Sequence, residues 1–134
     1  MRNGTMTTVG EAEEEVSLAY SPRIYSVIAY IEANYRSQIP MQRLADIAQV
    51  GVVHLIASFR REVGVSPHRF ICDMRVRQAQ DMLRSGMPPA IAALEAGFYD
   101  QSHLTRHFKR VCGSTPGKYR GENRMSVPLA HSSA

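Results

Sequence analysis

The chain has 134 residues, 44% of them hydrophobic, and a formal net charge of +4 at pH 7; this length suffices for one packed domain or two very small ones that share contacts. No apolar run approaches the roughly 18 residues that cross a bilayer, and no secretory signal begins the sequence, so we predict a cytoplasmic protein without a membrane partner. Cys72 and Cys112 form no CxxC pair and fall within predicted helices, which indicates free, mostly buried thiols.

Charge is unevenly distributed along the chain. Residues 1–20 contain one arginine and four glutamates, a net charge of −3, and are predicted to form an acidic, flexible leader. The other residues contain 15 Lys+Arg and 8 Asp+Glu, a net charge of +7, and in the whole chain arginine outnumbers lysine 14 to 2. Arginine favours forked contacts to phosphate or guanine. The composition therefore indicates a polyanionic partner, although a merely basic soluble protein has the same composition.

Helical periodicity describes the first half of the chain. Ser21-Pro22 is a helix start, and the first predicted helix runs to about Arg36. Two short helices are predicted over 41–49 and 52–63, with a tight turn at Val50-Gly51. Such a pair fits a helix-turn-helix, and a generic helical hairpin fits nearly as well. The residues expected to point inward are Ile24, Val27, Ile28, Ile31 and Tyr35 in the first helix, Leu44, Ile47 and Ala48 in the second, and Val52, Leu55 and Phe59 in the third.

The longest predicted helix covers 67–84, after a glycine that ends the preceding helix and a serine that caps the new one. Arg75 projects toward the apolar sector of this helix that contains Val76, Ala79 and Leu83. If Arg75 is buried there, its guanidinium needs a carboxylate or carbonyl partner. A short helix over 89–96 follows, with Ile91 and Leu94 expected to point inward.

The helix after Asp100 has two chemically different faces. Asp100 is a good N-cap, and Leu104, Phe108 and Val111 form the expected core stripe. The opposite face combines hydrogen-bonding and cationic groups, as reading a base edge beside a phosphate requires, although an ordinary solvated face looks similar. Its members are Ser102, His103, Thr105, Arg106, Lys109 and Arg110. A last short helix over 117–120 and a frayed tail over 121–134 complete the chain.

An internal repeat favours a functional role for the basic face over an ordinary solvated surface. The pattern H-L-x-x-x-F-(R/K)-R-x-x-G-x-(S/T)-P begins at His54 and begins again at His103, 49 positions later. No strand pattern is present. The repeat predicts an all-α fold in which two copies of one helical unit, within 21–66 and 85–120, are joined by the long central helix 67–84.

The same residues carry a family resemblance. The stretch from Ala92 to Arg110, with the following Gly113 to Arg120, resembles the C-terminal motif of AraC/XylS transcription regulators, and the similarity extends back over about 21–120. The resemblance implies about seven helices in two helix-turn-helix subdomains, with two reading helices in consecutive major grooves of double-stranded DNA. It also implies an activator that contacts RNA polymerase and a monomer on DNA. Most family members also carry a sensor domain. Its absence here suggests either regulation by the amount of protein or a fragment of a longer regulator.

Position within the motif suggests roles for individual side chains. In the second reading helix and the segment after it, base contacts are expected from Gln101, Ser102, His103 and Arg106, and phosphate contacts from Lys109, Arg110, Lys118 and Arg120. In the first reading helix, Arg60 and Arg61 are expected to contact phosphates.

The first reading helix departs from the family pattern. Positions that are usually polar or aromatic are Gly51, Val53, Ile56 and Ala57 here, and Ala57 stands where family members commonly have arginine. Val53 and Ala57 are expected to point outward. This face could read thymine methyl groups and DNA shape, grip DNA with little base specificity, or bind a partner protein.

Other kinds of site are not favoured. His103 and His107 have metal-ligand spacing, but no third ligand is near in sequence, so a packed or capping histidine is preferred and no metal or cofactor is expected. No phosphate-binding glycine loop or catalytic triad has a supporting context, so an enzyme is not expected. The alternative to a sequence-specific regulator is a protein-interaction or anti-activator module that has the same fold and binds DNA weakly.

Overall fold

The computed structural model describes residues 20–122 of the chain. This part contains seven α-helices and no strands. This confirms the predicted all-α class. The helices are α1 (Pro22–Asn34), α2 (Met41–Ala48), α3 (Val52–Val63), α4 (Pro67–Arg84), α5 (Pro89–Glu95), α6 (Gln101–Cys112) and α7 (116–122). Apart from residue 20 and residues 121–122, the predicted leader and tail lie outside the described residues. Among residues 20–122, no helix has the length and hydropathy of a membrane-spanning segment.

Local signals mark the start of α6 and the ends of α3 and α6. The side chain of Asp100 accepts a hydrogen bond from the His103 N–H (2.8 Å) and caps α6. Helices α3 and α6 both end at a glycine in the left-handed region, Gly64 with φ 99° and Gly113 with φ 81°. Helix α1 ends at Asn34, two residues before the predicted end. The shared glycine stop gives the two repeats the same local structure.

The chain divides into two compact units, each described here by itself. Among the described residues, unit 1 contains 20–30 and Pro40–Pro67. Its buried hydrophobic core comes from three helices: Ile24 and Val27 from α1, Leu44, Ala45 and Ala48 from α2, and Leu55 and Phe59 from α3. Ile47 and Val52, which were expected to point inward, are only half-buried. The Glu62 carboxylate accepts hydrogen bonds from the Ser21 N–H (2.7 Å) and hydroxyl (3.1 Å), and so joins the end of α3 to the start of α1.

The turn between α2 and α3 contains a strained residue. Gln49 adopts a left-handed conformation with φ 61°, whereas Gly51, the expected turn residue, is extended with φ −75°. Side chains with a Cβ rarely adopt the left-handed region, at a cost of roughly 1–2 kcal/mol. The left-handed position of this turn, which favours glycine, is therefore occupied by Gln49 and not by Gly51.

We expect Gln49→Gly to increase the free energy of unfolding by about 1 kcal/mol, since relief of strain exceeds the extra entropy of glycine in the unfolded chain. Denaturant titration followed by circular dichroism measures this difference. Gln49→Ala, which keeps a Cβ, is the matched control and should show no gain. An equal gain in both variants would show that the Gln49 side chain, and not its φ, is unfavourable.

Unit 2 contains Ile31–Ile39 and, among the described residues, 68–122. All of α4 after Pro67 therefore belongs to this unit. One core cluster of this unit comes from four segments: Val76, Ala79 and Leu83 of α4, Ala92 and Ala93 of α5 with the following Ala96, Phe98, and Leu104 and Phe108 of α6. Partly buried Met82, Met87, Cys112 and Tyr119 pack against it.

Two predictions about the buried faces in unit 2 are wrong. Ile91 and Leu94 are 50% and 62% exposed, because α5 packs through small alanines rather than through its larger side chains. On α6, Val111 is 41% exposed and Cys112 packs against the core instead. Both residues lie within a turn of Phe108, so helical spacing alone does not distinguish them.

Arg75 is buried, with 7% of its surface exposed, and of the two kinds of partner expected for a buried guanidinium, carboxylate or carbonyl, it has backbone carbonyls. Its Nε donates to the Tyr35 carbonyl (2.7 Å) and its NH2 group donates to the Ser37 carbonyl (2.8 Å). Gly97, in the left-handed region with φ 101°, lies against the same segment. One buried guanidinium and one glycine thus hold the turn after α1 in unit 2.

Candidate nucleic-acid interface

The residues of α6 that are predicted to contact DNA lie on its polar face. Ser102, Thr105, Arg106 and Lys109 line an open concavity of about 450 Å³. Gln101, at the first position of the helix, is exposed. Helical spacing places these groups on one side, and the Asp100 cap sets the start of the helix. The concavity offers hydroxyl donors and acceptors together with two cations.

The basic residues of unit 2 differ in whether they form hydrogen bonds or ion pairs within the protein. No hydrogen bond or ion pair within residues 20–122 holds the Arg106 guanidinium. Arg110, in contrast, donates to the Asp73 carboxylate (2.9 Å) and lies 3.0 Å from Nδ1 of His107. Arg120 donates twice to the Gly86 carbonyl (3.1 and 2.9 Å). The two predicted phosphate ligands Arg110 and Arg120 therefore have structural partners that the sequence did not reveal, whereas Arg106 is available.

His103 is partly withdrawn from the exposed face. Its Nδ1 accepts a hydrogen bond from the Tyr99 N–H (3.3 Å), and its ring packs edge-on against Phe98, with the ring centroids 5.1 Å apart. Burial, and next the charge of Arg106, lower the pKa of His103. The neutral ring with Nδ1 as acceptor carries its proton on Nε2, so Nε2–H is the group that His103 offers to an acceptor.

The corresponding face of unit 1 is apolar. Val53 is 83% exposed and Ala57 is also exposed, which confirms that both point outward, while Ile56 is half-buried. Arg60 and Arg61 are exposed in the last turn of α3. Unit 1 therefore presents methyl groups where unit 2 presents hydroxyl and guanidinium groups.

The structure also brings together three residues that the sequence did not connect. One potential metal-ligand atom from each of His68, Cys72 and His107 lies within 4.8 Å of the others. The signal in the sequence was the one-turn spacing of His68 and Cys72 on α4, but their proximity to His107 requires the packing of α4 against α6. Burial lowers the pKa of His107 to about 4, and His103 and Arg110 act in the same direction. Burial also raises the pKa of the Cys72 thiol.

Comparison with known proteins identifies the family. The family described as "Helix-turn-helix domain" matches residues 44–122. Multiple antibiotic resistance protein MarA of Escherichia coli K12 is 32% identical over 114 residues, which cover 81% of this chain and 90% of MarA. The HTH-type transcriptional regulator YbfI of Bacillus subtilis 168 is 32% identical over 99 residues, which cover 74% of this chain and 33% of YbfI.

Solved structures show the same fold. The DNA-binding domain of the transcriptional factor AdpA, solved with a target DNA, has a TM-score of 0.75 at 28% identity and covers 81% of this chain and 98% of its own. A probable AraC family transcriptional regulator from Rhodopseudomonas palustris CGA009 has a TM-score of 0.70 at 27% identity, with 77% and 98% covered. Taken with the family match, these similarities show that the chain belongs to the AraC/XylS family of helix-turn-helix DNA-binding transcription regulators, which are not enzymes.

Proposed function

We propose that this protein is a cytoplasmic, sequence-specific transcription activator. Its reading helices α3 and α6 enter consecutive major grooves of double-stranded DNA, and it binds DNA as a monomer. The observation that carries the proposal is the polar face of α6, where Arg106 lies beside Ser102, Thr105 and Lys109 and has no hydrogen-bond or ion-pair partner among residues 20–122. Arginine forms bidentate hydrogen bonds with guanine, and a basic group one turn away suits the adjacent phosphate. The activator role and the contact with RNA polymerase are proposed from the family resemblance.

Base discrimination is concentrated in unit 2. Gln101, Ser102, His103 and Arg106 supply hydrogen-bonding groups, each good bidentate pair contributing roughly 1–3 kcal/mol of discrimination. Lys109 and Lys118, both exposed, contact phosphates. Arg110 and Arg120 contribute less, because each must first leave an intramolecular partner.

Unit 1 binds mainly to the phosphates of the DNA backbone. Arg60 and Arg61 contact phosphates, and Val53, Ile56 and Ala57 approach the groove with apolar groups only. Apolar groups recognise the thymine methyl and little else by direct contact. This half of the binding site is therefore read weakly.

Selection of bound duplexes from a random pool tests the proposal. We expect one enriched sequence in which the half read by α6 is well defined and the other half is degenerate and rich in A·T pairs. Affinity for this sequence should exceed affinity for bulk DNA by at least about 10³-fold at the same salt concentration.

Binding at micromolar or weaker affinity, with no enriched sequence, would refute sequence-specific regulation. That outcome would favour the second candidate, a protein-interaction or anti-activator module with weak DNA binding. The specific observation behind this candidate is the 83% exposure of Val53 beside Ala57, an apolar surface suited to a protein partner.

A further inference from the structure

Two helices of unit 2 place sulfur and nitrogen donors close together. His68 and Cys72 lie one turn apart on α4, with Nε2 of His68 3.7 Å from Sγ of Cys72. His107 of α6 completes the group, in which the three ligand atoms lie within 4.8 Å of one another. In a tetrahedral site with metal–sulfur and metal–nitrogen distances of about 2.3 and 2.0–2.1 Å, neighbouring donors are about 3.3–3.6 Å apart. The His68–Cys72 distance is already close to this value, and the exposed His68 side chain can adjust.

One ring nitrogen of His107 is buried without a hydrogen-bond partner among the described residues. This atom is Nε2, which is shielded from solvent. Buried polar atoms in native proteins nearly always have a partner, and a missing one calls for an explanation such as an ion. Cys72 is fully buried beside it. A ligand at this point would give the orphaned nitrogen a partner.

We infer that His68, Cys72 and His107 form a binding site for a thiophilic transition-metal ion of the zinc class. One thiolate and two imidazoles suit Zn²⁺, whereas Mg²⁺ and Ca²⁺ require oxygen ligands, which this group lacks. Arg75 and Arg110 act on Cys72 as nearby positive charges and oppose the binding of any cation, so the ion has to be held by its bonds to sulfur and nitrogen. Binding forms the sulfur–metal bond and releases the Cys72 thiol proton to solvent. Three protein ligands leave the fourth position to water.

Coordination requires one local rearrangement. If Nε2 of His107 binds the metal, its proton moves to Nδ1, which then becomes a donor. The Arg110 guanidinium has only donors, so its NH2 group, which lies 3.0 Å from that Nδ1 and also donates to Asp73, must turn away from His107. The ion would then join α6 to α4 directly, independently of any contact with DNA.

Titration of the purified full chain with Co²⁺ and then Zn²⁺ tests this site. We expect one Co²⁺ per chain, a thiolate-to-cobalt charge-transfer band with the visible bands of a tetrahedral site, and loss of both when Zn²⁺ displaces Co²⁺. Zn²⁺ should also raise the Tm, because it binds the folded site more tightly than the unfolded chain.

Four variants make the test specific. Cys72→Ser should remove the charge-transfer band, and His68→Ala should weaken Co²⁺ binding at least about 10-fold and remove the Tm shift. Cys112→Ser and His54→Ala change the other free cysteine and an exposed histidine of unit 1, and both should behave as the wild type. Because His68 is exposed, its variant should fold even if Cys72→Ser does not. Absence of the band in the wild type, or wild-type binding by His68→Ala, would overturn the inference.

Discussion

Gly97→Ala is expected to reduce the free energy of unfolding by about 3 kcal/mol, a sum of backbone strain and overpacking. At φ 101°, a Cβ on this residue would lie 2.6 Å from the Tyr35 carbonyl oxygen, 2.9 Å from Nε of Arg75 and 3.0 Å from Cα of Arg36. Two of these atoms are backbone and cannot move independently. The third belongs to the buried guanidinium that donates to the same carbonyl, so relief of the clash also breaks that hydrogen bond.

Gly86→Ala is the matched control for this substitution. Gly86 has φ 103°, nearly the same as Gly97, but a Cβ there would meet nothing within 4 Å. Its expected loss is therefore the conformational part alone, roughly 1–2 kcal/mol. Denaturant unfolding of both variants separates strain from crowding. Equal losses in the two variants would show that the contacts around Gly97 relax without significant cost.

Arg106→Ala is expected to lower affinity for the selected duplex about 10- to 100-fold, which corresponds to the roughly 1–3 kcal/mol of a bidentate base contact. Affinity for bulk DNA should fall much less, because only one positive charge is removed. The physical reason is that Arg106 has no hydrogen-bond partner within the described residues, so its donors are free for a base. Equilibrium binding to the selected and to a scrambled duplex, at several salt concentrations, measures both effects.

Two further substitutions control the assignment of the reading faces. Lys109→Ala, on the same concavity, should weaken binding to the selected and scrambled duplexes alike, since a phosphate contact carries no sequence information. Ala57→Arg should increase affinity or change the preferred sequence in the half read by α3. If neither Arg106→Ala nor Ala57→Arg changes the sequence preference, the reading faces have been assigned incorrectly.

Local signals made much of the fold predictable from the sequence. The cap at Asp100 and the stops at Gly64 and Gly113 act within one turn of their own helix, so neighbouring residues alone determine them. The repeat added a non-local constraint by showing that both halves adopt one motif. The outward direction of Val53 and Ala57 followed from helical spacing. The polar face of α6 was visible for the same reason.

Only the tertiary structure decided which side of a short helix is buried and which distant residues meet. Helix α5 has seven residues, and its exposed Ile91 and Leu94 show that close approach of alanines outweighed burial of larger side chains. Gly97 must be glycine because Tyr35 and Arg75 pack against it, and His107 meets Cys72 only because α6 packs on α4. Helix starts and stops depend on adjacent residues, whereas buried faces and ligand clusters depend on contacts between residues far apart in the chain.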